Sequence, residues 1–391
     1  LEKSLSKKGS RGRPPPWREK LITPGIMRRG TEMAKLYGQE FSRCELMRKI
    51  GDISQVAGVK RYQLLDGNEN GVEAVDFRTG TGFNFTVLPG RGMDISYAEY
   101  NGQPLCWRSS TGDVGSAYFE PEGLGWLRGF YGGLLVTCGM TYAGVPCTDE
   151  GRELGLHGRA SYTPAKNVWA DGEWEEDEYV MWVQGKVREA SVFGENVVLT
   201  RRIWANLGES KLHLRDVVEN LGFEPVPHMY LYHINGGFPA VDEDSELLSP
   251  TKETTPRDAD AQVEAQNYYK FLAPTPGFKE RVYYHEMIPD ENGYVCSALV
   301  NKKFRNGQGF GFYVKYLKSQ LPRFIEWKMN GEGTYVVGME PANCLVEGRD
   351  KERKRGTLQF LQPGEKREYE LEIGVLASAE EIEELERTIL T

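Results

Sequence analysis

Long apolar runs, closely spaced cysteines and a positive charge balance are all missing from this chain. Nowhere in its 391 residues does an apolar stretch approach the roughly 20 residues of a membrane helix, so no membrane role is expected. The six cysteines, Cys44, Cys106, Cys138, Cys147, Cys296 and Cys344, include no C-x-x-C pair, which argues against a zinc site. No secretory signal is visible, and the cysteines read as reduced, mostly buried thiols of a cytoplasmic protein. The formal net charge is −9, so nucleic acid finds no electrostatic attraction here. Histidine is scarce: the chain holds five, at His157, His213, His228, His233 and His285. His157 and His233 stand among glycines or asparagine, and they become candidates for proton transfer.

Aromatic side chains and strand-like alternation are plentiful. Aromatics make up 11% of the residues, with 8 Trp and 20 Tyr, which suits both packing between sheets and stacking on sugars. Residues 1–32 differ in character, with nine Lys and Arg against three Glu and the helix-breaking run Pro14-Pro15-Pro16. They read as a basic, disordered extension that, if ordered, packs on a neighbouring subunit of a homo-oligomer. Residues 33–391 read as a single all-β domain. An amphipathic helix is expected over 36–50, with Leu36, Phe41, Leu46 and Ile50 buried. A dozen strands follow, among them 73–78, 83–88, 211–219, 229–234, 324–328, 335–339 and 366–376. With almost no helix between them, sheet-on-sheet packing is expected, a large antiparallel β-sandwich with short N- and C-terminal helices. Residues 242–277 read as a long surface excursion, and 379–390 as a charged helix capped by Ser378.

Several segments carry side chains suited to chemistry. In Gly90-Arg91-Gly92-Met93-Asp94, Arg91 offers a fork of donors and Asp94 an acceptor for sugar hydroxyls, or the two fix a tight turn. Trp126 precedes the aromatic loop Gly129-Phe130-Tyr131-Gly132. Gly155-Leu156-His157-Gly158-Arg159 sets an imidazole and a guanidinium close together. In Tyr232-His233-Ile234-Asn235, His233 and Asn235 point to one side of a strand end. A hairpin turning at 330–333 brings Lys328 and Glu340 into play, with Glu340 either a buried base or the partner of Lys328.

The order Arg-Gly-x-Asp, Leu-His-Gly, His-x-Asn, Gly-x-Glu-Pro resembles the aldose 1-epimerases (galactose mutarotases), and is most similar to a less characterised bacterial branch. The resemblance runs from Met33 to the C-terminus and implies the galactose mutarotase-like supersandwich. It implies that His157 hydrogen-bonds the sugar, His233 protonates the ring oxygen and Glu340 takes the proton of the anomeric hydroxyl. Arg91, Asp94, Arg159, Asn235, Lys328 and Trp126 would bind substrate, with no cofactor and no metal. Two departures stand out: Ile234-Asn235-Gly236-Gly237 lacks the usual aromatic, and Lys328 lies near Glu340. Together with Arg91 and Arg159, Lys328 suggests a substrate bearing a negative group, such as a sugar acid, or one bound in an open-chain keto form. The partner expected is a small carbohydrate. The rival readings are a carbon epimerase or isomerase of a ketose or keto-acid, and a non-catalytic carbohydrate-binding protein.

Overall fold

Alternation of apolar and polar side chains builds most of this molecule. In the strand Lys211–Asn220, Leu212, Leu214, Asp216 and Val218 are buried while the residues between them stay half-buried, as a one-sided strand requires. The computed structural model describes residues 33–390; the basic extension expected at 1–32 lies outside them. Three antiparallel sheets dominate. An eight-stranded sheet runs from Lys166–Glu175 through Glu178–Ala190, Asn196–Asn206, Lys211–Asn220, Lys366–Leu376, Phe310–Leu317 and Tyr294–Asn301 to Ser245–Leu248. A seven-stranded sheet has the order Thr251–Pro256, Arg281–Met287, Arg323–Gly331, Thr334–Ala342, Val226–Gly236, Gln359–Leu361, with Val136–Met140 also paired to Val226–Gly236. A five-stranded sheet spans Gly58–Gln63 to Gln103–Pro104. Among the described residues no helix is long and apolar enough to cross a membrane.

The seven-stranded sheet has two buried faces. One presents Tyr232, Ile234, Phe324, Val337 and Met339 to the main core, which also takes in Phe77 and Phe85 from the five-stranded sheet and Leu214, Val314 and Ile373 from the eight-stranded one. Each such side chain, fully withdrawn from water, stabilises by roughly 1.5–3 kcal/mol. The other face presents Leu231, Ile325 and Ala342 to a second cluster built from Trp126, Phe130, Tyr131 and Tyr162.

A buried polar knot joins the three sheets. Arg201 donates to both oxygens of Asp216, at 2.8 and 2.7 Å, and to Asp94 Oδ1 at 2.9 Å. The hydroxyls of Tyr230 and Tyr232 donate to Asp216 at 2.8 and 2.7 Å, and Thr137 donates to Asp94 at 2.6 Å. Breaking such a pair strands a charge in the interior and costs roughly 3–5 kcal/mol.

Two expectations change. The helix over 36–50 shrinks to Arg43–Met47, capped by Ser42 with Glu45 reaching back to close a capping box. Before it, Ala34–Leu36 pairs with Gln39–Phe41 across Tyr37-Gly38, whose φ angles of 53° and 75° make a tight hairpin turn. Leu36 and Leu46 are buried as expected. Within 242–277, Ser245–Leu248 and Thr251–Pro256 are edge strands of the two large sheets. An edge strand needs little apolar alternation, and Thr251–Pro256 is largely exposed. The terminal helix Ala379–Leu390 forms with Ser378 Oγ accepting from the Glu381 amide, and it buries Ile382 and Ile389.

Candidate active site

The hairpin Arg323–Gly331/Thr334–Ala342 and the adjoining strand Val226–Gly236 fix the centre of the site. Register on either side, Leu231 against Ala342 and Ile234 against Met339, sets His233 directly across from Glu340. Their side chains meet on the face away from the main core, with His233 Nε2 3.2 Å from Glu340 Oε1. No hydrogen bond joins the two groups, and Glu340 Oε1 and His233 Nδ1 are both buried without partners. Asn235 lies close enough to the His233 ring to favour its protonated form, and its amide donates to the Gly133 carbonyl at 3.1 Å.

His157 reaches the same spot from a different part of the chain. Its ring centroid is 6.0 Å from that of His233, at 86°. The backbone at His157 is left-handed, with φ 55°, and is held by Gly144 and Gly139, the His157 amide donating to one carbonyl and the His157 carbonyl accepting from the other amide. A Cβ on Gly155 would lie 2.0 Å from the Pro121 carbonyl oxygen, so the neighbouring glycine is a packing requirement. His157 is half-buried, yet its Nδ1 is closed off and unpartnered.

An aromatic wall surrounds the three. The Trp126 ring is 5.0 Å from His157, while Phe130 and Trp327 are 5.4 and 5.3 Å from His233. Trp107 packs on Phe130 at 6.0 Å. Trp126 Nε1 and the Tyr284 hydroxyl are further buried groups without partners. At the rim, Glu280 accepts from Trp327 Nε1 at 2.9 Å and from Arg257 at 3.0 Å.

Burial governs the proton affinities. It pushes His157 down to about 4, partly offset by the Glu280 charge, and His233 down to about 3, with His157 adding to the fall. It pushes Glu340 well above the usual carboxylate range, Glu280 adding to the rise and Arg257 opposing it. Burial thus favours the protonated form of Glu340 and the uncharged form of His233, whose Nε2 lies 3.2 Å away.

The expected binding residues divide. Trp126 packs on the His157 ring and Asn235 shares a strand face with His233, so both stand beside the histidine pair. Arg91 does not reach it: the residue is 1% exposed and its guanidinium donates to the carbonyls of Ser161, Val114 and Gly129 while stacking on Tyr162 at 4.0 Å. Asp94 is engaged in the polar knot, and burial raises it to about 6 despite Arg201. Lys328 pairs in register with Val337, so it points to the opposite face of the sheet from Glu340. There its ammonium donates to the carbonyls of Asn267, Tyr268 and Lys270. Arg159 is exposed and lies over the Phe119 ring. Trp107, Trp327, Tyr284, Arg257 and Glu280 were not singled out from sequence. Only Trp327 had a legible signal, since it sits opposite Gly338 in the hairpin and so shares a face with Glu340. Among the described residues no three His, Cys, Asp or Glu side chains gather as a metal site would need.

Comparison with known proteins agrees with this architecture. The family model described as "Domain of unknown function (DUF4432)" matches residues 69–375. A candidate aldose 1-epimerase from Klebsiella pneumoniae is 27% identical and superposes with a TM-score of 0.80, over 85% of this chain and 86% of its own. A galactose mutarotase-like protein from Clostridium acetobutylicum shares the fold at 12% identity and a TM-score of 0.58, over 83% of this chain and 99% of its own. A galactose 1-epimerase from Lactobacillus acidophilus does so at 11% identity and a TM-score of 0.51, over 82% and 99%. No curated protein matches the chain in sequence.

Proposed function

The chain belongs to the DUF4432 family, and we propose that it is a sugar epimerase working by Glu/His acid–base chemistry at the anomeric carbon. The observation that carries this reading is the meeting of His233 and Glu340 at 3.2 Å inside an aromatic pocket, with several polar atoms left unpartnered. A sugar's hydroxyls would satisfy those atoms, and its ring face would lie on Trp126, Phe130 or Trp327. Likeness to the Klebsiella pneumoniae protein supports the same reaction class.

The chemistry needs one proton that Glu340 can pass to His233. Moving it from Glu340 to His233 creates a carboxylate and an imidazolium in one step. Glu340 then takes the proton of the anomeric hydroxyl as His233 gives its own to the ring oxygen. The C1–O5 bond breaks and the carbonyl forms; rotation about C1–C2 and reversal of the steps deliver the other anomer. His157, held neutral by burial, is placed to hydrogen-bond the sugar. Positioned acid–base groups of this kind contribute about 10²–10⁴-fold. The carbon-epimerase alternative has Glu340 or Lys328 take a proton from carbon; Lys328 lies on the opposite face of the sheet, which leaves Glu340 as its base.

The test is NMR in deuterated water with a panel of aldoses, ketoses and sugar acids. Anomer exchange should quicken without deuterium entering at carbon. Glu340→Gln and His233→Ala should each slow exchange by ~100-fold or more while thermal unfolding is retained. Exchange that survives both substitutions refutes the assignment, and deuterium at carbon moves it to a carbon epimerase.

A further inference from the structure

We propose that Glu280 makes this pocket choose sugars by charge, favouring ammonium-bearing sugars over neutral ones and turning away carboxylate-bearing ones. The inference rests on the sugar-epimerase reading and adds the substrate class. It also reverses what the cationic residues suggest in sequence.

The first support is where the cations go. Arg91 gives its donors to three backbone carbonyls in the interior. Lys328 gives its own to three others on the far face of the sheet. Arg108 is bound to Asp113 at 2.7 Å and to the Ser96 carbonyl at 2.8 Å. Arg257 is held by Asp258 at 2.8 Å and by Glu280 at 3.0 Å. The Arg257, Asp258 and Glu280 group thus carries one net negative charge at the rim.

The second support is the position of Glu280. Its carboxylate is fixed by Trp327 Nε1 at 2.9 Å, and the Trp327 ring lies 5.3 Å from His233. Its charge is felt at both His157 and Glu340, which places it in electrostatic reach of anything bound between them. With a side chain 51% exposed, it faces an entering ligand from the solvent side. When Glu340 passes its proton to His233, the two charges formed offset each other, which leaves Glu280 as the net charge that a bound carboxylate meets.

The third support is the wall itself. Trp107, Trp126 and Trp327 gather around Phe130 with ring centroids 6.0, 4.8 and 6.3 Å from it, and an aromatic face attracts a cation and repels an anion. Aromatic faces combined with a rim carboxylate form a setting that an ammonium group enters favourably.

The experiment compares D-galactose, D-galacturonate and D-galactosamine, with the corresponding gluco series, at mildly acidic pH where the amine is charged. Anomer exchange is followed by NMR, and binding by calorimetry on the same samples. For the wild-type protein the order expected is amine, then neutral, then acid, with the acid at least ~10-fold below the neutral sugar. Glu280→Gln should compress that order, and Glu280→Lys should invert it. The Glu280 side chain is half exposed, so both variants are expected to fold. A wild-type protein that prefers galacturonate, or an order unmoved by both variants, overturns the proposal. Binding ranked by charge without any exchange would support the charge filter and retire the epimerase reading alone. No binding of any of these sugars would overturn both.

Discussion

Gly338 offers the sharpest separation of function from folding in this molecule. It sits in the strand Thr334–Ala342 opposite Asn235 and Trp327, between the two reacting side chains. A Cβ placed there would lie 2.5 Å from Glu340 Oε1 and 3.1 Å from His233 Cε1. Ordinary van der Waals contact begins near 3.4 Å, so the carboxyl must retreat by close to an ångström. The strand backbone itself accepts alanine, since Gly338 has no positive φ. Replacing glycine by alanine in a compatible conformation even stabilises, by roughly 0.4–1 kcal/mol, through the unfolded chain. Misplacing a catalytic group by that distance costs ~100-fold in rate, equivalent to about 2.7 kcal/mol of barrier. Gly338→Ala should therefore keep or slightly raise the unfolding temperature while anomer exchange falls by about two orders of magnitude. Calorimetry and NMR exchange on one sample read both quantities. A variant as active as the wild type would show that Glu340 need not hold its place beside His233, and the acid–base assignment would fall.

Other outcomes follow from the buried charges. Lys328→Met should remove a donor from the carbonyls of Tyr268 and Lys270, and from that of Asn267, which keeps the Lys270 amide, and lower stability by about 1–3 kcal/mol, with sugar affinity unmoved; an affinity change at constant stability would return Lys328 to the site. Glu189, buried with Thr141 donating to it at 2.7 Å, is pushed up to about 7 by burial. Its native carboxyl holds a proton that the unfolded chain releases above about 4.5, so wild-type stability drains as pH rises towards 7. Glu189→Gln should remove that loss, gaining on the wild type by about 1.4 kcal/mol per pH unit between those limits and levelling off above them. Parallel stability curves for the two proteins would contradict the assigned burial effect.

Much of the sheet structure was legible because the buried face alternates cleanly. Glu73–Arg78, Phe83–Leu88 and Lys366–Leu376 have the limits that their alternation sets. The hairpin around 330–333 forms, with Glu332-Gly333 as its two-residue turn and Gly331 paired to Thr334. The segment over 36–50 misleads because Leu36, Phe41 and Leu46, five residues apart, do not share one helix face, while the decisive Tyr37-Gly38 turn is only two residues long. Polar edge strands such as Thr251–Pro256 lack an apolar stripe and look like loop. At the site, His157, His233 and Glu340 were visible through the small residues beside them, which make room for the side chains and their backbone. Arg91, Asp94 and Lys328 were read as ligand groups because a charged side chain in sequence does not disclose its partner. For Lys328 the answer was within reach: with Gly331 opposite Thr334, counting back along the hairpin puts it opposite Val337, on the core side.

That hairpin has a consequence for how the chain can vary. Its two faces do different work, Glu340 and Trp327 lining the pocket while Val337, Met339 and Phe324 fill the core. Strand side chains alternate, so one residue inserted or deleted between Thr334 and Val337 would turn Val337, Met339 and Glu340 to the opposite faces. Methionine would then face the sugar and a carboxyl would enter the hydrocarbon interior. Length changes here are therefore doubly forbidden, by packing and by chemistry, whereas the exposed stretch of 272–280 can lengthen without moving any strand. Lineages that diverge in substrate should accordingly differ in their rims and agree, residue for residue, in the spacing of this turn.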